Sequence, residues 1–236
     1  MNDEQDLIFW SHPTAPGIKV EEIFGGKKYS PKIWKNLALQ IFCEQGKDNY
    51  REILHFRNGA PIIKDFDCRV SFSHTNGLLV AAFLPPTPEI NLSLFSPLTA
   101  MGIDAEKLDR KQVLRVREKF LSDKEISLIP EDDLTANIIA WTAKEALLKA
   151  AMDKEINYRE NITLIRLPGL YNSPMPAKED LKEYGKAIIR IDSDNSTNEV
   201  SFSIFSYESE GYCITLAWAD DSIRFGHEQN KSNPNA

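Results

Sequence analysis

Residues 67–84 read DCRVSFSHTNGLLVAAFL, and this stretch predicts the clearest β-hairpin in the chain. Two β-prone runs, 69–74 and 78–83, flank the tripeptide Thr75-Asn76-Gly77. An Asn-Gly pair favours a tight hairpin because it tolerates the positive φ that such turns require. We therefore expect two antiparallel strands joined at this tripeptide.

The tetrapeptide Val-Ser-Phe-Ser occurs at 70–73 and again at 200–203, each time before a turn and a second strand-like run. A long helical pattern lies upstream of each copy, at 30–45 and at 134–154. Chance can produce four identical residues, but the repeated order of helix, strand and hairpin favours a duplication. The predicted fold is α+β, with two similar half-domains in a pseudo-two-fold arrangement around a shared cleft.

A stretch with four prolines at 85–100 is the best candidate boundary between these halves. We expect an N-terminal half at 1–98, a C-terminal half at 99–221 and a polar tail at 222–236. Before residue 26 the sequence looks irregular apart from a short strand at 18–23. Other predicted strands lie at 51–56, 101–109, 162–167, 186–192, 200–207 and 212–219. Helices are predicted at 110–120 and from Ser122, which has capping-box spacing to Glu125.

Composition excludes several classes of protein. The 236 residues carry a net charge of -7, which disfavours a non-specific nucleic-acid binder. No apolar run reaches the length of a membrane span, and the acidic N-terminus is unlike a signal peptide, so a cytoplasmic protein is expected. The three cysteines are scattered and contain no C-x-x-C pair, which favours reduced thiols over a disulfide framework or a zinc site.

Charged residues interrupt the helix at 134–154, whose sequence includes WTAKEALLKA at 141–150. Glu145 and Lys149 are four residues apart and therefore share a face with Trp141. On an ordinary surface helix they would form a simple salt bridge. Because this helix is apolar on nearly every side, we expect Lys144, Glu145 and Lys149 to be wholly or partly buried and to belong to a functional site.

Two further groups of residues are candidates for chemistry. In the predicted strand GIDAE at 102–106, Asp104 and Glu106 point to the same side, where a divalent cation such as Mg²⁺ would relieve their repulsion. At the hairpin turn, Ser73, His74 and Thr75 form a polar cluster suited to phosphate. Solvent-facing acids and an ordinary turn histidine are the alternative interpretations.

A basic strip follows the strand, with six cations in EKLDRKQVLRVREKF at 106–120: Lys107, Arg110, Lys111, Arg115, Arg117 and Lys119. A solvated helix face is one interpretation of this strip, and a docking surface for an acidic partner is the other.

The succession of F-S-H-T at 72–75, G-I-D-A-E at 102–106 and W-T-A-K-E-A-L-L-K at 141–149 resembles the signature of the 4′-phosphopantetheinyl transferases, specifically their long, pseudo-dimeric type. The segment K-F-L-S-D-K-E at 119–125 is similar to a further family motif, with Leu121 in place of a phenylalanine. The likeness extends over about 53–219.

This resemblance implies an enzyme that transfers the 4′-phosphopantetheine arm of coenzyme A to a serine of an apo acyl or peptidyl carrier protein, with release of adenosine 3′,5′-bisphosphate. It implies Mg²⁺ held by Asp104, Glu106 and Glu145, with Glu145 also the candidate base and Lys149 beside it in catalysis. The residues implied for the coenzyme A side are Arg57, Ser73, His74, Thr75, Asp104, Lys144 and Lys149. A monomer is expected, with no nucleic-acid or membrane partner.

The sequence departs from the family pattern near the nucleotide. Ala60 stands where the family commonly has lysine, and Ile33 and Gln40 lie where relatives often carry arginine. The lysine missing at Ala60 favours one alternative, a non-catalytic relative that binds carrier protein or coenzyme A. The intact set of Asp104, Glu106, Glu145 and Lys149 argues against that alternative. A metal-dependent phosphohydrolase is a second alternative, since it would use the same carboxylates.

Overall fold

The computed structural model describes residues 8–13, 18–25, 53–55, 61–63, 69–84, 101–151, 156–172, 184–193 and 196–219. Several predicted features lie outside these residues: the helix at 30–45, the proline-rich stretch at 85–100, the polar tail, Arg57, and the three departures at Ile33, Gln40 and Ala60. No helix in the described ranges is long and apolar enough to cross a bilayer.

The first six strands form one antiparallel sheet, ordered β1-β2-β6-β5-β4-β3. They are β1 (Ile8–Pro13), β2 (Lys19–Phe24), β3 (Ile53–His55), β4 (Pro61–Ile63), β5 (Arg69–Thr75) and β6 (Leu78–Leu84). The predicted hairpin is confirmed as β5 and β6, where Thr75 pairs with Leu78 and Gly77 supplies the positive φ of 91°. Strand β1 contradicts the expected irregular start, because Pro13 ends a strand at the sheet edge, where a missing N–H is tolerated.

The described part of the second half contains helices and a second, mainly antiparallel sheet, and the longest of these helices packs against the sheet. Its helices are α1 (Gln112–Phe120), α2 (Asp123–Leu128) and α3 (Leu134–Ala151). Its strands are β7 (Met101–Lys107), β8 (Ile162–Arg166), β9 (Leu170–Tyr171), β10 (Gly185–Ser193), β11 (Ser196–Ser209) and β12 (Tyr212–Ala219). The order is β7-β12-β11-β10-β8, with the short β9 parallel to β11.

Most second-half elements confirm their predicted positions to within a few residues. The capping box of α2 is present, since the Ser122 hydroxyl accepts from the Glu125 backbone N–H and the Glu125 carboxylate accepts from that of Ser122. The main difference is β11, whose 14 residues begin four positions before the predicted strand at 200–207 and end two positions after it.

The β12 strand lies between β7 and β11, and all eight of its residues are buried. On one side, Cys213, Ala217 and Ala219 pack in a core with α3. On the other, Ile214, Leu216 and Trp218 join an inter-sheet core that includes side chains of the first sheet. The second sheet is therefore covered by helix on one face and by the first sheet on the other, and β12 buries apolar side chains on both faces.

The two Val-Ser-Phe-Ser tetrapeptides both lie in the first arm of a hairpin, but at different distances from its turn. Ser73 precedes the turn glycine Gly77 by four residues, whereas Ser203 precedes Gly211 by eight. The α+β class and the repeated hairpin are thus present, while the tetrapeptides are not equivalent positions. The pseudo-two-fold relation of the halves stays a prediction.

Candidate active site

Helix α3 lies unusually close to strand β7 because residue 102 is glycine. A Cβ atom at Gly102 would lie 2.0 Å from the Ala146 carbonyl oxygen and 2.7 Å from the Ala150 nitrogen. Both are backbone atoms that cannot rotate away, so no larger residue fits there without moving the helix. This contact brings the next residues of β7 against the end of α3.

Asp104 is the buried acid at this contact, and side chains from two directions bind it. It is 6% exposed, and one oxygen accepts from Lys149 Nζ at 2.7 Å and from the Ser73 hydroxyl at 2.6 Å. Lys149 also donates to the Ile103 carbonyl at 3.1 Å. The lysine from α3 therefore forms an ion pair with the aspartate of β7.

Glu106 is equally buried, at 4% exposed, and is held mainly from its own segment. It accepts from the Lys107 backbone N–H at 2.9 Å and from the Thr75 hydroxyl at 3.2 Å, and it forms an ion pair with Arg110. Met101, Ile103 and Ala105 face the inter-sheet core, so alternation along the strand puts both acids on the opposite side, as predicted.

Glu145 is half-buried and lies on the part of α3 that stays accessible, with Trp141 and Lys149 one turn away on either side. Tyr158 donates its hydroxyl to one oxygen of this glutamate at 2.7 Å. Burial raises the pKa of Glu145, the negative charge of Asp104 raises it further, and the Tyr158 hydrogen bond and Lys149 oppose that change. Glu145 and Asp104 are thus close enough for their charges to interact.

Lys144 contacts none of the three acids Asp104, Glu106 and Glu145, which corrects the expectation that it faces a phosphate. Its ammonium is fully buried and donates to Glu125 at 2.9 Å, to the Tyr158 carbonyl at 2.8 Å and to the Ile162 carbonyl at 2.6 Å. An ammonium has three donors, and all three are used. Burial lowers the pKa of Lys144, while the Glu125 charge opposes that change. Lys144 therefore joins α2, α3 and β8.

The polar cluster of the hairpin divides into three environments. Ser73 is buried and contacts Asp104, and Thr75 is half-buried and contacts Glu106. His74 is exposed, so it is the member whose side chain is accessible to a ligand in solution.

The basic strip is not a uniform surface, because one of its members is internal. Arg117 is 8% exposed and donates to the Asn137 side chain at 3.2 Å and to the Ile129 carbonyl at 2.6 Å. Lys111, Arg115 and Lys119 are exposed and recur every four residues, which puts them on one face of α1. We call these three residues the basic face.

The donor atoms of the three candidate acids fit a hard cation. Asp104, Glu106 and Glu145 supply carboxylate oxygens, the ligands that Mg²⁺ prefers. Within the described ranges, however, no three acidic, histidine or cysteine side chains are grouped closely enough to form a metal centre. The charges of Asp104 and Glu106 are instead balanced by Lys149 and Arg110.

Sequence reasoning missed the partners that fix these side chains. Tyr158 lies in a turn with no periodic pattern, and only the fold shows that it reaches Glu145. Its ring stacks on Trp141 with centroids 6.2 Å apart. Glu125 was noted only as a cap and a motif position, yet it also binds Lys144 and the Leu164 N–H.

Comparison with models of known protein families identifies the family of this chain. A family model described as the 4′-phosphopantetheinyl transferase superfamily matches residues 100–217, which is half of the chain. This span contains β7, all three helices and nearly all of β12, and hence Asp104, Glu106, Glu145 and Lys149. No curated protein matches the chain at a significant level.

Proposed function

The chain belongs to the 4′-phosphopantetheinyl transferase superfamily, and on that premise we propose that it transfers the 4′-phosphopantetheine arm of coenzyme A to a serine hydroxyl of an apo acyl or peptidyl carrier protein. Adenosine 3′,5′-bisphosphate is the second product. The observation that carries this proposal is the contact of α3 with β7 at Gly102, which places Asp104, Lys149 and Glu145 together inside the matched span.

The reaction requires positioning and charge compensation more than covalent chemistry. The serine oxygen bonds to the phosphorus that carries the pantetheine arm, and the bond from that phosphorus to the bridging oxygen breaks. The electron pair of that bond leaves with adenosine 3′,5′-bisphosphate, and the serine proton must move to a base. The accessible face of α3 offers one carboxylate and one ammonium for these tasks.

Glu145 is the proposed base. Tyr158 holds one of its oxygens, and within the described part of the chain no protein donor contacts the other. Lys149 is 29% exposed, so its ammonium is accessible to a phosphate oxygen while it remains beside Asp104. An ammonium in contact with the phosphate would stabilise the negative charge that develops during phosphoryl transfer.

Asp104, Glu106 and Glu145 are the residues that would hold Mg²⁺. When bound, Mg²⁺ neutralises pyrophosphate charge. The negative charge of Asp104 acts on Glu145, which supports this assignment because a cation relieves the repulsion between two carboxylates.

Mass spectrometry of an apo carrier protein incubated with coenzyme A and Mg²⁺ tests the proposal. A mass gain equal to the phosphopantetheine arm supports it. An unmodified carrier that forms a complex instead supports the non-catalytic relative, and cleaved coenzyme A with unmodified carrier supports the phosphohydrolase.

Glu145→Gln is the sharpest single substitution, because it keeps the shape of the side chain and removes its basicity and charge. We expect transfer to fall by at least 10²-fold, within the range that general base catalysis contributes. Exposed Glu131→Gln is the matched control for a glutamate-to-glutamine change away from the site. Near-normal turnover of the Glu145→Gln protein would remove the proposed base.

The basic face is the proposed docking surface for an acidic carrier protein. Exposed charges are screened by salt, so raising the ionic strength should raise the KM for the carrier and leave kcat nearly unchanged. Arg115→Glu should also raise this KM, whereas the same change at exposed Lys124, on α2, is the control. A KM that is independent of salt would make the basic face an ordinary solvated surface.

We also propose that the chain is a monomer of the long type, with half-domains at 1–98 and 99–221 and a tail at 222–236. The buried contact of its two sheets supports this, since one chain already contains the inter-sheet core. Tyr207 and Ser209 of the second sheet both donate at 2.6 Å to Glu22 of the first. Light scattering that gives the mass of a dimer or trimer would refute the monomer.

A further inference from the structure

Three hydroxyl side chains of β5 connect the first sheet to the acidic strand of the second. Ser71, Ser73 and Thr75 alternate along β5, so they share one face of that strand. All three contact β7 or its acids. We call these three side chains the hydroxyl ladder.

The first task of the hydroxyl ladder is to accept hydrogen bonds from backbone N–H groups at the outer edge of β7. The strand lies at the end of the second sheet, and edge strands present unpaired backbone groups. Ser71 accepts from the Ile103 N–H at 3.1 Å, and Ser73 accepts from the Ala105 N–H at 3.3 Å. Serine oxygens therefore take the place of carbonyls from a neighbouring strand.

The second task belongs to Ser73 and Thr75 alone. Ser73 donates to Asp104 at 2.6 Å, and Thr75 donates to Glu106 at 3.2 Å. A hydroxyl has a single proton to donate. Ser73 is buried, and its one hydroxyl proton is used in the hydrogen bond to Asp104. It therefore cannot donate to a phosphate without breaking that hydrogen bond.

We propose that Ser73 and Thr75 are positioning residues that hold the Asp104 and Glu106 carboxylates from the neighbouring sheet, and that Ser73 does not bind the nucleotide. Ser71 contacts the same strand without touching a carboxylate, so its role is limited to the strand edge. This inference rests on the proposed function, because it assigns a task within that reaction to the two acids.

The experiment compares Ser73→Ala, Ser71→Ala and the unaltered protein in full-length form. We expect Ser73→Ala to lower kcat on the order of 10- to 100-fold, as loss of a hydrogen bond to a catalytic or metal-binding carboxylate does. Coenzyme A binding, measured by calorimetry without carrier protein, should change by less than about two-fold. Ser71→Ala should also lower stability towards urea, because it removes the acceptor of the Ile103 N–H, but should leave kcat within about two-fold.

Dephospho-coenzyme A, which lacks the 3′-phosphate, distinguishes positioning from nucleotide binding. If Ser73 positions Asp104, the loss of kcat is the same with either donor. If Ser73 binds that phosphate, Ser73→Ala weakens coenzyme A binding about 10-fold or more, as expected for a lost hydrogen bond to a charged group, and has no effect with dephospho-coenzyme A. That second result overturns the inference.

Thr75 supplies an independent test that does not depend on the folding of Ser73→Ala. Thr75→Val keeps the shape and removes the donor, whereas Thr75→Ser keeps the donor. We expect kcat to fall for valine and to be restored for serine. Equal losses for both, or equal losses for Ser71→Ala and Ser73→Ala, overturn the inference, and absence of transfer by the unaltered protein refutes the proposed function itself.

Discussion

The substitution Gly102→Ala tests the close contact on which the candidate site depends. An alanine Cβ would lie 2.0 Å from the Ala146 carbonyl oxygen, and real Cβ contacts are essentially never shorter than 3.0 Å. The helix α3 and strand β7 must therefore move apart locally by at least 1.0 Å. Inserting one carbon into a packed core costs about 1–3 kcal/mol, or more where the obstacle is backbone.

The same displacement should act on catalysis separately from stability. Moving α3 away from β7 takes Glu145 and Lys149 away from Asp104, and a misplacement of about 1 Å can cost on the order of 10²-fold in rate. Alanine has less backbone conformational entropy than glycine in the unfolded chain, and this difference offsets only about 0.4–1 kcal/mol of the destabilisation. We expect both a lower midpoint in urea denaturation and a lower kcat under conditions where the variant is fully folded.

Gly169→Ala is the matched control, because its added Cβ would meet nothing closer than 3.9 Å. It should change the free energy of unfolding by less than about 0.5 kcal/mol, as surface substitutions usually do. If Gly102→Ala behaves like Gly169→Ala in both denaturation and carrier modification, the close approach of α3 is not needed for the fold or for the site.

Two further substitutions separate charge from packing. Lys144→Met leaves Glu125 as a buried charge without its lysine, so we expect the free energy of unfolding, measured by urea denaturation, to fall by about 3–5 kcal/mol. Lys149→Met should reduce the free energy of unfolding far less and the rate of transfer far more. The reverse pattern would exchange the roles given to the two lysines. Burial raises the pKa of Cys213 from its ordinary 9.0 to about 11. The folded state therefore keeps a proton that the unfolded state releases, and the protein should lose roughly 3 kcal/mol of stability as the pH rises from 9 through 11. Cys213→Ala removes this part of the alkaline loss, and identical stability profiles for the two proteins would contradict the assignment.

Local patterns in the sequence predicted most of the elements that the structure describes. The Asn-Gly turn gave the hairpin of β5 and β6, and the capping box gave the start of α2. Both signals depend on residues within a few positions of one another, which is why the sequence displays them. The strand β1 was missed because its edge position, which makes Pro13 acceptable, depends on the sheet.

The sequence also indicated the acids and lysines of the candidate site, but not their partners. Helical spacing predicted that Glu145 and Lys149 share a face, and strand alternation predicted the same of Asp104 and Glu106. Which neighbour each face meets depends on contacts between residues far apart in the chain. Lys149 reaches an aspartate 45 positions away, and Ser73 reaches the same aspartate across 31 positions.

The sequence by itself determined the hairpins, the apolar helix with its charges, and the family to which these motifs belong. The tertiary structure alone decided that Lys144 is internal while its neighbour Glu145 is accessible, because adjacent helical residues point about 100° apart and only packing chooses which direction is covered. It likewise decided that Arg117 is internal and that Ser73 faces a carboxylate. Burial of a polar group depends on partners supplied by other elements, and no local pattern specifies them.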